Sequence, residues 1–348
     1  MSRVYLDWNA TAPLRPEARA AMAAALDVTG NPSSVHAEGR AAKMLLERAR
    51  EDLAEALGAA QADIVFTSGA TEAAALALAG HELACAGVEH DAVRAWCDET
   101  LITDAAGQVA VPDPASATLQ IANSETGVIQ TLPQGLAVSD LTQGFGKIPL
   151  AFDWLGVGAG FVSAHKLGGP RGVGALILRA GVDRAAALRG GGQERGRRAG
   201  TENLAGIAGF AAAAKAAQRD LASGMSEKLT EMRDRLMSRL EVANKNTMFP
   251  GRDSARLPQT LSILTPGWKA ETQVMQMDLA GFAVSAGSAC SSGKVRASGV
   301  LRAMGVAEPE AGCALRVSFG GTTTQDELDR FAAAWVAAHA RWQGKQGR

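Results

Sequence analysis

An α/β fold in two unequal parts is predicted. A large domain, residues 12–249, holds a mainly parallel sheet between helices, and a smaller α/β domain combines residues 1–11 with 250–348. Three observations point there. Short apolar runs alternate with helix-period segments, as βα units do. A long helical stretch from Asn203 to about Val242, interrupted near Ser223-Gly224, reads as a bridge between domains. Pro250-Gly251 and Pro258 then break the pattern before strand, helix and strand signals resume. A length of 348 residues suits one large domain and a smaller one.

The first element is a short strand at Val4-Tyr5-Leu6, followed by the polar turn Asp7 to Pro13 and a helix from about Pro16 to Leu26. Met1-Ser2-Arg3 runs straight into that strand, so no signal peptide is expected. Gly30 to His36 is a loop of turn formers. Ser34 or a neighbour can cap the helix that follows to Leu57, whose Ala42, Leu45, Leu46, Ala49, Leu53, Ala56 and Leu57 share one face. Ile64 to Thr67 reads as a buried strand, then Ser68-Gly69-Ala70-Thr71-Glu72, then an Ala/Leu helix. That order aims free backbone N–H groups and a helix dipole at one point, which suits a phosphate. The same residues also make an ordinary N-cap, so both readings stand.

Thr118 to Ala122 is a strand ending in Asn123-Ser124-Glu125-Thr126-Gly127, and a second acidic-then-amide turn is Asp140-Leu141-Thr142-Gln143. A buried carboxylate near the end of a parallel strand can pair with a protonated pyridine nitrogen; a solvated turn is the alternative. Two apolar runs, Phe161-Val162 and Ala175 to Leu178, bracket Ser163-Ala164-His165-Lys166 and a Gly/Pro turn, as adjacent strands with a tight connection do. Read locally, Lys166 is a solvated turn residue. In a partly desolvated pocket its free amine is easier to reach and can form a Schiff base with a carbonyl cofactor.

Gly190 to Thr201 is the most Gly/Arg-rich loop, suited to close approach to an anion. Cys290 lies among small and hydroxyl residues from Val284 to Lys294, where an exposed thiol near positive charge can hold a reactive thiolate; an incidental loop cysteine is the alternative. Arg316 interrupts the apolar strand Leu315 to Phe319, and an inward arginine needs a partner, best a bidentate carboxylate.

Composition narrows the function classes. With 47% hydrophobic and 20% charged residues and a formal net charge of -1, neither nucleic acid nor an anionic membrane is the expected partner. Four cysteines without zinc spacing suggest a reducing cytoplasm. Gly287 to Lys294 has one intervening residue too many for a P-loop, and Val295 replaces the magnesium-binding hydroxyl. Gly156 to Phe161 lacks the third dinucleotide glycine, and no paired-His metal motif occurs, so no metal is expected.

Taken in order, Ser68 to Glu72, His90, Asp140 to Gln143, Ser163 to Lys166, Gly190 to Thr201, Gly287 to Cys290 and Arg316 resemble the NifS/IscS-type cysteine desulfurases, class V enzymes of the fold-type I pyridoxal-phosphate group. The likeness runs from about Tyr5 to Thr324. It implies that Lys166 carries the cofactor, and that Ala70, Thr71, Ser163 and His165 hold the phosphate end. Thr201 would reach it from the other subunit of a homodimer. Asp140 would pair with the pyridine nitrogen, Gln143 and Ser124 would serve the ring oxygen, and His90 would stack on the ring and move protons. Arg316 and Asn123 would bind the substrate, with Cys290 the nucleophile. Ser124 stands where the family usually has a second Asn, and the segments from Thr71 to Asp140 are shorter than usual.

The expected protein is a cytoplasmic homodimer that converts L-cysteine to L-alanine, takes the sulfur as a persulfide on Cys290, and passes it to an acceptor protein for iron–sulfur clusters or tRNA thiolation. Rival expectations are another class V enzyme, such as a selenocysteine lyase or an aminotransferase, and a catalytically silent homologue that binds a partner. A transaminase has no use for Cys290.

Overall fold

The computed structural model describes residues 3–287 and 297–346. From the N-terminus come β1 (Val4–Tyr5), α1 (Pro16–Leu26), α2 (Ala37–Leu57), β2 (Asp63–Thr67), α3 (Ala70–Leu78), β3 (Ala84–Ala86), α4 (Asp91–Arg94) and β4 (Asp98–Leu101). Next are β5 (Val138–Asp140), α5 (Phe152–Leu155), β6 (Ala159–Ser163), β7 (Gly174–Leu178), α6 (Leu204–Ala222) and α7 (Met225–Ala243). The C-terminal part holds β8 (Thr260–Leu264), α8 (Ala270–Leu279), β9 (Phe282–Ala283), β10 (Ser285–Ala286), α9 (Gly299–Ala303), α10 (Glu308–Ala311), β11 (Ala314–Ser318) and α11 (Gln325–Gln346). Among the described residues no helix is long and apolar enough to cross a membrane.

The central sheet runs β2-β7-β6-β5 and is mixed. β5 and β6 are parallel, whereas β7 runs against both β6 and β2. Chain length explains the reversal: the link from Ser163 to Gly174 is too short for a parallel crossover, which needs a dozen residues or more. Thr118 to Ala122 does not form a continuous strand but extends the parallel side. Leu119 and Ile121 donate to the carbonyls of Val138 and Asp140, and Thr118 donates to Ala84 beside the parallel pair β3-β4. Its hydrogen bonds are shared between two short neighbours, and so the ladder is broken.

Helices α1, α2 and α6 pack on one face of this sheet and α3 on the other. Helix α2 is capped by the His36 side chain, which accepts from the Gly39 N–H, so the cap is His36 rather than Ser34. Its end is Gly58 in the left-handed region.

A second core forms around the antiparallel sheet β10-β11-β8, with Trp268, Phe331 and Trp335 fully buried. Leu229, Met232, Leu236 and Leu240 of α7 belong to this core, as do Val4 and Leu6. The buried side chains of the second core thus begin within α7, after the Ser223-Gly224 interruption of the helical bridge. The helical spacing of those four residues turns one face of α7 toward β8 and α11.

Candidate active site

Where the two cores meet, a cavity of about 660 Å3 opens at the ends of β2, β5 and β6. The N-terminus of α3 forms one wall. Gly69 stands at its N-cap with φ +156, no side chain caps the helix, and Ala70 and Thr71 line the cavity. The first N–H groups of α3 are thus left for an anion. Ser163, ending β6, lies beside them, its Oγ 3.9 Å from where a Gly69 Cβ would stand. Gly174 of β7 closes the back of this cradle. A Cβ there would sit 2.6 Å from the Gly69 carbonyl carbon and the Val162 oxygen, so only glycine lets the strands and the α3 turn meet. Glu72 holds the turn by accepting from the Ser68 N–H at 2.7 Å and Arg198 Nε at 2.8 Å. Burial alone would raise its carboxyl, but those hydrogen bonds bring it below the usual range.

Asp140, at the end of β5, is enclosed and lines the same cavity. Its Oδ1 accepts from the Thr142 N–H at 2.8 Å. Burial pushes its carboxyl up, against the lowering pull of Thr142, His90 and Lys166. Such a group is best stabilised by a cation placed against it. His90 caps the short α4, its Nδ1 accepting from the Ala92 N–H at 3.1 Å, and it also lines the cavity. The buried Nδ1 of His165 has no partner among the described residues. Burial first, then Lys166, Arg171 and Lys147, holds the His165 imidazole down to about 4.

Lys166 follows on a single 3-10 turn after β6. Its Nζ donates to the carbonyls of Asn9 at 2.8 Å and Ala10 at 3.0 Å. The Gln143 amide donates to the same Asn9 carbonyl at 3.1 Å. Asn9 is a hub that sequence reasoning passed over as part of a polar turn. Its N–H donates to Ser318 Oγ at 2.9 Å, and its Nδ2 donates to Thr260 Oγ1 at 2.8 Å and the Ser124 carbonyl at 3.0 Å.

Arg316, inward-facing on β11, finds its expected carboxylate in Asp7, with Nη2 2.7 Å from Oδ1. Its Nη1 donates to the Ser124 carbonyl at 3.3 Å, and its buried Nε has no partner among the described residues. One guanidinium edge therefore remains for a further acceptor. Asp7 was also missed, because 309 residues separate it from Arg316.

The cavity gathers Ala70, Thr71, His90, Ser124, Asp140, Gln143, Ser163, His165, Lys166 and Arg316. Asn123 is not among its lining residues. Its Nδ2 donates to the Val88 carbonyl, and its Oδ1 accepts from the N–H groups of Glu125 and Thr126 and from the Thr126 hydroxyl. Through these bonds Asn123 shapes the turn that presents Ser124. Thr201 is exposed and does not line this cavity either. Cys290 lies outside the described residues.

Comparison with known proteins places this geometry in a family. The aminotransferase class-V family model matches residues 4–98 and 97–331. A cysteine desulfurase of Cereibacter sphaeroides is 38% identical over 95% of this chain and 94% of its own. An IscS-like cysteine desulfurase of Mycobacterium tuberculosis is 35% identical, covering 97% and 96%. The structure of a NifS-like protein from Rickettsia africae superposes with a TM-score of 0.88 at 30% identity, covering 97% of this chain and 99% of that one.

Enzymes of this family work with pyridoxal 5′-phosphate, and the cavity suits that group. An uncapped helix start walled by glycines offers a phosphate cradle, the half-buried Asp140 carboxyl suits a pyridinium, and Lys166 lines the same cavity. Residues, cavity and relatives agree: the chain belongs to the aminotransferase class-V family of pyridoxal-phosphate enzymes, within the group of the cysteine desulfurases.

Proposed function

We propose that the protein releases sulfur from L-cysteine as a cysteine desulfurase, with L-alanine as the other product. The observation that carries this reading is the single cavity that sets Lys166, Asp140 and the α3 cradle opposite Arg316. Pyridoxal phosphate, when bound, supplies an electron sink for the charge left when a Cα proton departs.

This chain's residues do the rest. The N–H groups of Ala70 and Thr71, with Ser163 and His165, hold the phosphate, and His165 stays neutral there because its imidazole is held down to about 4. Asp140 pairs with the pyridine nitrogen. Gln143, oriented by Asn9, faces the ring oxygen beside Ser124. Lys166 Nζ would hold the cofactor, and its free amine would serve as the base for the Cα proton. His90, which lines the cavity, would face the ring and move a second proton. Arg316 takes the substrate carboxylate, and Asn123 supports Ser124 from behind.

Cys290 completes the reaction. Its thiolate attacks the substrate sulfur; the S–S bond forms as the Cβ–S bond breaks, and that electron pair stays with the carbon skeleton released as alanine. The persulfide passes to an acceptor protein serving iron–sulfur clusters or tRNA thiolation, a reading supported by the IscS-like relatives. The working form is a cytoplasmic homodimer in which Thr201 reaches the phosphate of the other subunit. Its exposure away from its own cavity supports that reading, as do the exposed apolar Leu26, Val35 and Met44 on α1, α2 and their link.

The test is quantitation of alanine and sulfide formed from L-cysteine, with mass spectrometry for an added sulfur on Cys290. Alanine should appear with a stoichiometric persulfide, and Cys290→Ala should keep the cofactor's colour while releasing no sulfide. Full activity of that variant would sink the persulfide mechanism.

A further inference from the structure

A second lysine stands beside the first. Lys147 lies two residues before Pro149, at the end of the turn that begins with Asp140, and its side chain reaches inward along a cavity of about 60 Å3 shared with Trp8, Met225, Leu229 and Phe319. Its walls also include Arg15 and Asp220, which pair with each other, and Lys166 borders it. The Lys147 backbone is pinned: its N–H donates to the Gly144 carbonyl at 3.0 Å, and its carbonyl accepts from Ser226 Oγ at 3.1 Å. Gly146, at φ +73, brings the turn against α6, where a Cβ would lie 2.9 Å from that of Ala217. The amine nitrogen is thus delivered by rigid backbone to one hydrogen-bond acceptor among the described residues, Gln143 Oε1.

We infer that Lys147 is a positioning residue: it holds the Gln143 amide with its NH2 group toward the Asn9 carbonyl, the same carbonyl on which Lys166 Nζ rests. The Lys147 nitrogen donates to Oε1 and the Asn9 carbonyl can only accept, so Lys147 on one side and Asn9 on the other fit the same amide orientation. Without Lys147, Oε1 loses its donor and the amide is free to turn. That would unseat the group facing the cofactor ring and loosen the carbonyl that holds Lys166.

Stability gives no reason to keep a lysine here. Burial first, then Lys166 and Arg316, pushes its ammonium well below the ordinary lysine range. An apolar side chain of the same length would fill the space without that cost. A residue retained against its own burial cost is better explained by what it orients.

The inference rests on the pyridoxal-phosphate reading of the large cavity, and the experiment separates the two. Cofactor-free wild type, Lys147→Met, Gln143→Leu and the double variant are reconstituted with pyridoxal phosphate, and the dissociation constant, visible spectrum and melting temperature are measured before L-cysteine turnover. Lys147→Met should raise the dissociation constant about tenfold and lower kcat at least tenfold, with KM within threefold and a melting temperature no lower than wild type. The double variant should be no worse than Gln143→Leu alone, since the two residues act as one unit. Lys147→Arg, which keeps a donor, should restore binding to within threefold of wild type. Additive losses in the double variant, or a Lys147→Arg protein as impaired as Lys147→Met, would overturn the inference. So would a Lys147→Met protein that binds and turns over like wild type. Failure of wild type itself to bind the cofactor would instead overturn the underlying reading.

Discussion

Replacing Arg316 with Gln isolates the contact proposed for the substrate carboxylate. In the substrate-free protein its guanidinium donates to Asp7 and to the Ser124 carbonyl, while its Nε is buried without a partner among the described residues. A carboxylate arriving at that edge gains at least one charge-assisted hydrogen bond, about 1.5–3 kcal/mol. At about 1.4 kcal/mol per tenfold change, its loss corresponds to roughly 10- to 100-fold weaker binding. Gln keeps a donor for Asp7 but carries neither charge nor fork. The side chain of Asp7 is 21% exposed, so water softens the loss of its partner. KM for L-cysteine should therefore rise roughly 10- to 100-fold with kcat changed much less. Steady-state alanine formation measures both constants, and inhibition by L-alanine, which has the same carboxylate, should weaken by a similar factor. A KM within threefold of wild type, with the loss falling on kcat, would show that Arg316 serves the chemistry and not the carboxylate.

Gly174→Ala should lower the melting temperature and raise the cofactor dissociation constant at least tenfold, because its Cβ meets backbone of both Gly69 and Val162; overpacking of this kind costs about 1–3 kcal/mol. Glu194 accepts from Arg50 at 2.7 and 3.0 Å and from the Phe66 N–H at 2.9 Å while 6% exposed, so Glu194→Ala should destabilise by about 3–5 kcal/mol in urea unfolding. Two pH effects of opposite sign follow from buried groups. His165 is held at about 4 against about 6.5 unfolded, so the unfolded chain binds more protons between those values and stability of the cofactor-free protein falls as pH drops through that window. His165→Gln should remove that loss. Glu125 is raised to about 7, by burial first, against the lowering effects of Ser298 and Arg316. There the native state binds more protons, so stability falls as pH rises from about 4.5 to 7, by roughly 3 kcal/mol in all. Urea midpoints of Glu125→Gln across that range should be flatter than wild type.

Local chemistry was legible from the sequence and distant pairing was not. The helices at Pro16–Leu26 and at the approach to Leu57, the turn after β2 and the hairpin around Lys166 each declare themselves within a dozen residues, through apolar periodicity, glycine and proline. The mixed sense of the sheet followed from the length of the Lys166 connection. Alternation of signals could not reveal it, since it does not encode strand direction. Arg316 announced that it needed a carboxylate, but nothing near it in sequence said which. Asp7 and Asn9 gave a faint signal at best, two polar residues directly after a strand. Lys147 could have been noticed from its place four residues after Gln143, a spacing that lets a long side chain reach back along a turn.

Asn9 explains why the site lies at the junction of two cores. Its carbonyl receives Lys166 and Gln143 from the first, while its N–H and side chain hold Ser318 and Thr260 in the second. Residues 3–11 are fastened to the C-terminal part, with β1 paired to β9 and Asp7 bridged to Ser318. Whatever moves β8 and β11 relative to the central sheet must therefore move the carbonyl that supports the lysine. The same shift carries Arg316, since Asn9 and Arg316 both donate to the Ser124 carbonyl. Clamp and lysine are thus coupled through one peptide group and one asparagine side chain. A ligand that shifted Arg316 would therefore, through these few bonds, alter the hold on the Lys166 amine.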